Sequence, residues 1–279
     1  MALVIPYNFG KDINSNSAAQ IQLLVDGAES NSATIGLNYA IMILQNRFRQ
    51  INIEKSCFTA PRTSAVISPE TRVWFNPELK SRNFMIPGIL GLLLMILTMI
   101  LTSLAVVKEK EIGTIEQLIV SPIKPYQLII GKLTPFAFIA MMVILMVLAL
   151  AFSVFQLPLR GSFFLLIILC FVFLLTTLGL GLFVSTISKN QQQAMITSVF
   201  FVMMPMVFLS GFVFPIENMP KLIQIVTYFL PLRYFYTIIR GIFLKGVGLE
   251  VLWDETLALL AFGILILTLS ALRFSKKLS

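Results

Sequence analysis

Lys108-Glu109-Lys110-Glu111-Ile112-Gly113-Thr114-Ile115-Glu116-Gln117-Leu118-Ile119-Val120-Ser121-Pro122-Ile123-Lys124-Pro125, running on through Tyr126 to Lys132, is a charged island between two apolar runs. Within it Thr114 and Gln117 have the spacing of a capping box, in which a hydroxyl and an amide each satisfy an orphan backbone N–H at a helix start. A short helix is expected from there, with Ile115, Leu118 and Ile119 on one face and Glu116 and Gln117 turned away, as in an amphipathic helix lying along a membrane surface. Pro122 and Pro125 stop it and begin the next segment. Gly113-Thr114 reads equally well as an ordinary turn and cap or as part of a contact surface.

Outward from the island the chain is apolar. With 57% hydrophobic residues, 12% charged residues and a mean hydropathy of +0.90, it lacks the charge a water-soluble surface requires. The net charge of +8 is spread over loops and forms no dense basic run, so membrane topology explains it better than a nucleic-acid partner. The two cysteines, Cys57 and Cys170, build neither a disulfide framework nor a metal site. There is no histidine, which removes Ser-His-Asp and Cys-His catalysis and the usual zinc constellations. No catalytic, cofactor-binding or metal set is expected.

Residues 1–83 read as a small water-exposed α/β domain. Leu3-Val4-Ile5, Ile21 to Val25 and Thr71 to Phe75 have strand character, and Asp26-Gly27 is a turn. Asn31 or Ser32 is the expected cap of a helix in which Ile35, Tyr39, Met42 and Phe48 share a face. Met1 to Pro6 lacks the basic and apolar regions of a signal peptide. From residue 84 to 279 the chain reads as a transmembrane domain. Phe84–Val107, Leu133–Phe155, Phe163–Ile187, Ala194–Phe214 and Thr256–Leu272 each suffice to cross a hydrocarbon core, which takes roughly 20 apolar residues.

Orientation follows from Lys and Arg in short loops. With the island inside, Lys108, Lys110, Lys124, Lys132, Lys189, Arg273, Lys276 and Lys277 are cytoplasmic, against Arg160, Lys221, Arg233, Arg240 and Lys245 outside. That places the C-terminus in the cytoplasm and residues 1–83 on the far side. Residues 215–255 are too apolar for a loop and too broken for a span: Leu222–Leu230 ends at Pro231, and Tyr234–Leu244 is interrupted at Arg240-Gly241. A pair of outer re-entrant or interfacial helices is expected, with Tyr228, Tyr234, Phe235 and Tyr236 as an aromatic belt at headgroup level. Gly88 and Gly91, after Pro87, are candidates for close approach of a partner chain.

No span carries an Asp, Glu, Lys or Arg in its apolar core, which argues against proton-driven transport. The chain also lacks a nucleotide-binding P-loop, since Gly131-Lys132-Leu133 has neither the upstream glycine nor the hydroxyl residue. Any ATPase is therefore another polypeptide, docking on the island.

At this point the residues resemble a known family. Val107 to Leu118, then Ser121-Pro122 and Gly131-Lys132, are similar to the signature of the type-2 ABC (ATP-binding cassette) exporter permeases. Leu209-Ser210-Gly211-Phe212-Val213-Phe214-Pro215-Ile216-Glu217-Asn218-Met219-Pro220 resembles the family's outer-end motif, and Leu230-Pro231-Leu232-Arg233-Tyr234 with Arg240-Gly241 its re-entrant segment before the last span. Ile5 to Phe9 and Val25 to Gly27 are like the extracytoplasmic domain of members with a large domain between spans one and two.

The resemblance implies an α-helical multi-span membrane protein, five spans present where the family plan has six, with a small N-terminal extracytoplasmic α/β domain. On that plan the first span is missing, and the expectation is an N-terminally truncated gene product or a misplaced start. The resemblance also implies a permease domain at 84–279, with an ATPase-coupling segment at 108–127 and an outer re-entrant segment at 215–255, in a bacterial cytoplasmic (inner) membrane.

Glu109, Glu111, Gly113, Thr114, Glu116, Gln117 and Pro122 are the implied coupling residues. Gly211, Pro215, Glu217, Pro220, Pro231, Arg233, Arg240 and Gly241 mark the outer segment. The implied partners are two copies of an ATP-binding cassette subunit, a second permease subunit in a homodimer or heterodimer, the lipid bilayer and, at the outer domain, a periplasmic adaptor; no nucleic acid is implied. The expected role is export of an amphipathic or lipid-like substrate, with a mechanotransmitting or scaffold subunit as the alternative. A membrane-embedded enzyme would have to use Glu217, Arg233 and Arg240, which read better as helix-end and snorkelling groups.

Overall fold

The computed structural model describes residues 2–14, 21–27, 30–56, 69–74, 80–113 and 125–276. The expected cap and amphipathic turn from Thr114, with Glu116, Gln117 and Pro122, lie outside the described residues. So do Phe75 and the side chain of Phe48.

The chain divides into two compact units, Met1–Phe84 and Met85–Ser279. In the first, β1 (Ala2–Val4) pairs antiparallel with β2 (Ile21–Asp26), which pairs parallel with β3 (Pro69–Trp74). A parallel pair needs a long crossover, and between β2 and β3 runs the helix α2 (Ser30–Ser56), after the short α1 (Phe9–Asn14). Alternation along β2 buries Ile21, Leu23 and Val25, as a half-buried strand requires. Helix α2 starts at Ser30, ahead of both expected caps. Ile35, Tyr39 and Met42 share an exposed stripe, at 57%, 62% and 56% accessibility.

The second unit is helical. Helix α3 (Ser81–Ile112) runs straight through the charged end of the island, so Lys108 to Glu111 form its last turn. Gly113, at φ +78°, ends it in the left-handed conformation that glycine adopts without a Cβ penalty. Then come α4 (Pro125–Ser153) and α5 (Phe163–Ile187). Ser162 caps α5, its hydroxyl accepting the Leu165 N–H at 3.4 Å.

The next span is α6 (Gln191–Ile196), a π-helical stretch at Thr197–Met203 and α7 (Met204–Leu209) in one continuous helix. After a 3₁₀ turn at Ile216–Asn218 come α8 (Lys221–Thr227) and α9 (Pro231–Arg240). Helix α9 passes into a second π-helical stretch, Gly241–Lys245, and α10 (Leu249–Lys276) closes the described chain.

Five of these helices are long and apolar enough to cross a membrane: Ser81–Ile112, Ile129–Ser153, Phe163–Ile187, Gln191–Leu209 and Leu249–Arg273. Lys221–Thr227 and Pro231–Lys245 form a pair bent by 83°. Pro231 at the start of α9 puts the break where its ring and missing N–H suit a helix beginning. The interruption expected at Arg240-Gly241 is absent: Gly241 is helical at φ −57°, ψ −46°, and the winding widens instead of stopping.

Helix α5 is the centre of the unit, buried along most of its second half and packed most extensively on α10. Its hydroxyls bond either within the helix or to neighbours. Thr177 accepts from Thr98 of α3 at 2.6 Å, and Ser270 of α10 donates to the Gly179 carbonyl at 3.1 Å. Gly181 admits α3 closely, since a Cβ there would lie 2.7 Å from the Met99 carbonyl oxygen.

Two expectations are corrected here. Gly88 and Gly91 do not wait for a partner permease: an added Cβ would meet the chain's own Phe212 ring at 2.2 Å at Gly88, and Phe235 and Tyr236 at 3.0 Å at Gly91. The aromatic belt is likewise split. Tyr228 is exposed and Tyr234 half-buried, but Phe235 and Tyr236 are fully buried against α3 and α5. Helix α9 is strongly amphipathic, and its aromatic face turns to protein because that removes the largest apolar area from solvent.

Candidate functional site

The last turn of α3 carries Glu109, Lys110 and Glu111 in succession. Neighbouring helical residues point about 100° apart, so these three face three directions, and each meets a different helix. Glu109 forms an ion pair with Lys132 of α4. Lys110 donates to the backbone carbonyl of Ser185, in the last turn of α5. Glu111 accepts the backbone N–H of Gln191, the first residue of α6, at 2.9 Å, and also its side-chain amide.

The signs of charge suit the places. A helix C-terminus is the negative end of the backbone dipole and leaves carbonyls without helical partners; an N-terminus is positive and leaves N–H groups. Lys110 serves the first kind of end on α5, and Glu111 the second on α6. The turn between them is tied further by Asn190, whose Oδ1 accepts the Gln193 N–H at 2.7 Å, while Gln193 Oε1 accepts the Lys189 N–H at 2.9 Å. One helical turn thus holds three other helices, α5 and α6 at their ends, and Gly113 stands directly beyond it.

Two hydroxyl pairs carry the connection into the apolar interior. Besides Thr98 on Thr177, Ser103 of α3 lies 3.2 Å from Ser198, in the π-helical stretch after α6. In a π turn one residue more than usual is wound into the helix, and such bulges recur at functional positions.

At the other end of α3 sits the re-entrant pair. Arg240 Nη2 donates to the Gly211 carbonyl at 3.2 Å, and Gly211 holds φ +86° with Ile216 packed 3.1 Å from the place of its absent Cβ. Arg233 donates to the Thr227 hydroxyl and stacks over the Tyr228 ring, 3.8 Å from its centroid. The Tyr234 hydroxyl donates to the Tyr228 carbonyl at 2.8 Å. Below them Phe235 stacks on Phe173 of α5, centroids 4.0 Å apart and planes 7° from parallel, and Phe212 tilts against Tyr236 at 5.4 Å. From Gly91 to Glu109 along α3 is about 27 Å at the helical rise, so one rigid helix joins the two clusters.

Of the expected coupling residues, Glu109, Glu111 and Gly113 come together here, while Thr114, Glu116, Gln117 and Pro122 lie outside the described residues. Of the outer set, Gly211 and Arg240 are bonded. Arg233 locks the bend, Pro220 and Pro231 begin α8 and α9, and Pro215 precedes the 3₁₀ turn. Gly241 marks the passage from α to π winding, and Glu217 is exposed. Lys132, Ser185 and Gln191 carry contacts that the sequence reading did not assign. The Asn190 to Gln193 spacing, which marks the start of α6, was the available signal for the last. Among the described residues no three of His, Cys, Asp or Glu gather as a metal-binding group.

Residues 1–272 match the family described as "ABC-2 family transporter protein". The chain is similar to the probable multidrug ABC transporter permease YbhR of Escherichia coli, 36% identical over 255 residues, covering 91% of this chain and 67% of YbhR. It is 34% identical over 277 residues to the probable multidrug ABC transporter permease YbhS of the same organism, covering 99% and 72%. The inner membrane transport permease YhhJ is 31% identical over 281 residues, again 99% and 72%.

Proposed function

The chain belongs to the ABC-2 family of transporter permeases, and from that premise we propose that it couples ATP hydrolysis by a separate ATP-binding subunit to export of an amphipathic or lipid-like substrate. An ABC permease is a transport subunit and leaves the hydrolysis to its partner. In this reading two ATP-binding subunits grip two permease chains from the cytoplasm, at residues 108–127. The last turn of α3 and the C-terminus are cytoplasmic, residues 1–83 form an extracytoplasmic α/β domain, and the membrane is the bacterial inner one, as the name of YhhJ has it for that protein. YbhR and YbhS, named as probable multidrug permeases, support an apolar cargo.

The observation that carries the proposal is the tie of Glu109, Lys110 and Glu111 to three helices. A push delivered at Gly113 and the residues after it acts on α3, α4, α5 and α6 together. Helix α3 then carries it to the aromatic cluster under the re-entrant pair. Thr114, Glu116, Gln117 and Pro122 would form the surface that the ATPase holds, and Gly211, Arg233 and Arg240 would keep the outer end closed at rest. Charged contacts of this kind fix docking register more than they add affinity.

The test is co-reconstitution with the ATP-binding subunit in vesicles, reading ATP hydrolysis and movement of an apolar cationic dye. The proposal expects ATP-dependent dye movement that requires both proteins. Hydrolysis indifferent to this chain, with no dye moved, would contradict it.

A further inference from the structure

Where α3 and α5 touch, they run in step. Thr98 pairs with Thr177 at 2.6 Å. One helical turn further along both helices Thr102 faces Gly181: a Cβ on that glycine would stand 2.9 Å from the Cβ of Thr102. Thr98, Thr102 and Thr177 are buried, Thr102 completely. Yet the Thr102 hydroxyl has no hydrogen-bond partner, whereas Thr134, Thr256 and Thr268 each donate to the carbonyl one turn back in their own helices. A buried hydroxyl left unpaired is costly, and native proteins keep few.

One simple step would pair it. If α3 slides along α5 toward its own N-terminus by one turn, about 5.4 Å, Thr102 takes the place of Thr98 against Thr177. That is the direction of a push at Gly113, and one-turn ratchets between packed elements are an established form of switch. Thr98 is not orphaned by the step, because its hydroxyl also lies 2.6 Å from the Leu94 carbonyl of its own helix. Val106, with the shape of Thr102, comes to face Gly181. Lys110 holds the Ser185 carbonyl through a flexible stem that can swing back as α3 moves. At the outer cluster the step brings Leu92 and Met95 to the places of Gly88 and Gly91. There a Cβ alone would lie 2.2 Å from the Phe212 ring and 3.0 Å from Phe235 and Tyr236, so these rings have to leave. The two registers are exclusive: the aromatic cluster closes on α3 only while Thr98 faces Thr177.

We propose that Thr102 is the second partner of Thr177, and that α3 works between two registers on α5 one helical turn apart. That ATP drives the step rests on the function proposed above; the two registers do not.

The test is the distance between nitroxide labels at exposed Leu101 of α3 and exposed Phe164 of α5, read by pulsed electron paramagnetic resonance. It uses the purified full chain in lipid nanodiscs, carrying Cys57→Ala and Cys170→Ala. Phe164 lies nearer the α5 N-terminus than the Thr177 contact, so the step shortens the distance, by about 5 Å. Thr98→Val removes the first bond and leaves Thr102 to hold the second register. The shorter distance should gain population about fivefold, the factor for one net hydrogen bond. Adding Thr102→Val should cancel the gain, and adding Thr102→Ser should not. Thr102→Val alone should leave the unfolding temperature unchanged or raise it, since the hydroxyl has no bond to lose in the first register; a purely structural threonine would lower it. Where Thr98→Val fails to fold, that measurement decides. No gain of the shorter distance in Thr98→Val, a gain that survives Thr102→Val, or a lower unfolding temperature for Thr102→Val would each overturn the proposal. None of these readouts uses ATP, so their failure leaves the transport reading standing.

Discussion

Glu111 and Gln191 stand 80 residues apart in the chain, yet the carboxylate of one accepts the backbone N–H of the other at 2.9 Å. The bond joins the end of α3 to the beginning of the span that contains a π-helical stretch, so a displacement of α3 is felt directly by α6.

Glu111→Ala removes both bonds to Gln191 and leaves the α6 N-terminus to water. Because the pair is exposed, the cost to stability is small, while permease-dependent ATPase stimulation falls with it. Thermal unfolding and hydrolysis measured on the same preparation check this, and the expected signature is uncoupling without unfolding.

The Glu109–Lys132 pair is testable by exchange of charge. Half-exposed pairs contribute about 0.2–1 kcal/mol, so Glu109→Lys and Lys132→Glu each lower stimulation by opposing like charges, and the double exchange restores it. Failure of the double variant to recover would show that the two act separately. A double-mutant cycle gives the coupling energy.

Gly181→Ala sets a Cβ 2.7 Å from the Met99 carbonyl oxygen, a backbone atom that cannot swing aside. The expected loss is about 1–3 kcal/mol, as for other overpacked sites. Gly88→Ala meets the Phe212 ring, which can rotate; the cost there is lower, and the effect falls on the outer cluster. Comparing the two variants by thermal unfolding and by dye movement separates packing from gating.

Arg233→Lys keeps the charge but loses the planar guanidinium that stacks 3.8 Å over Tyr228. About 1 kcal/mol of stacking is lost. The bend between α8 and α9 loosens, and dye leaks in the absence of ATP, with hydrolysis unchanged.

The membrane-crossing runs were legible because length and apolarity are local properties, and the five described spans lie over the expected ones to within two turns at either end. The π-helical stretch was not. Ser198 to Met203 is almost uniformly apolar, so it carries no periodicity from which an extra residue per turn could be read. Phe235 and Tyr236 misled for a related reason: aromatic residues near a polar boundary suit a headgroup layer and a protein interior equally, and only the docking of α9 onto Gly91 decides between them. Of the site, the charge and spacing of Glu109 to Gly113 marked the place. Its partners Ser185 and Gln191 come from the ends of two other spans, and no pattern within the island could name them.

The central claim is that an ATP-binding subunit grips the chain at the end of α3. A photo-reactive residue in place of exposed Lys108, and another in place of exposed Glu217 at the far end, would be cross-linked in native membranes containing the ATP-binding subunit. The account predicts an adduct with that subunit from position 108 and none from 217. An adduct from 217, or silence at 108, would contradict it.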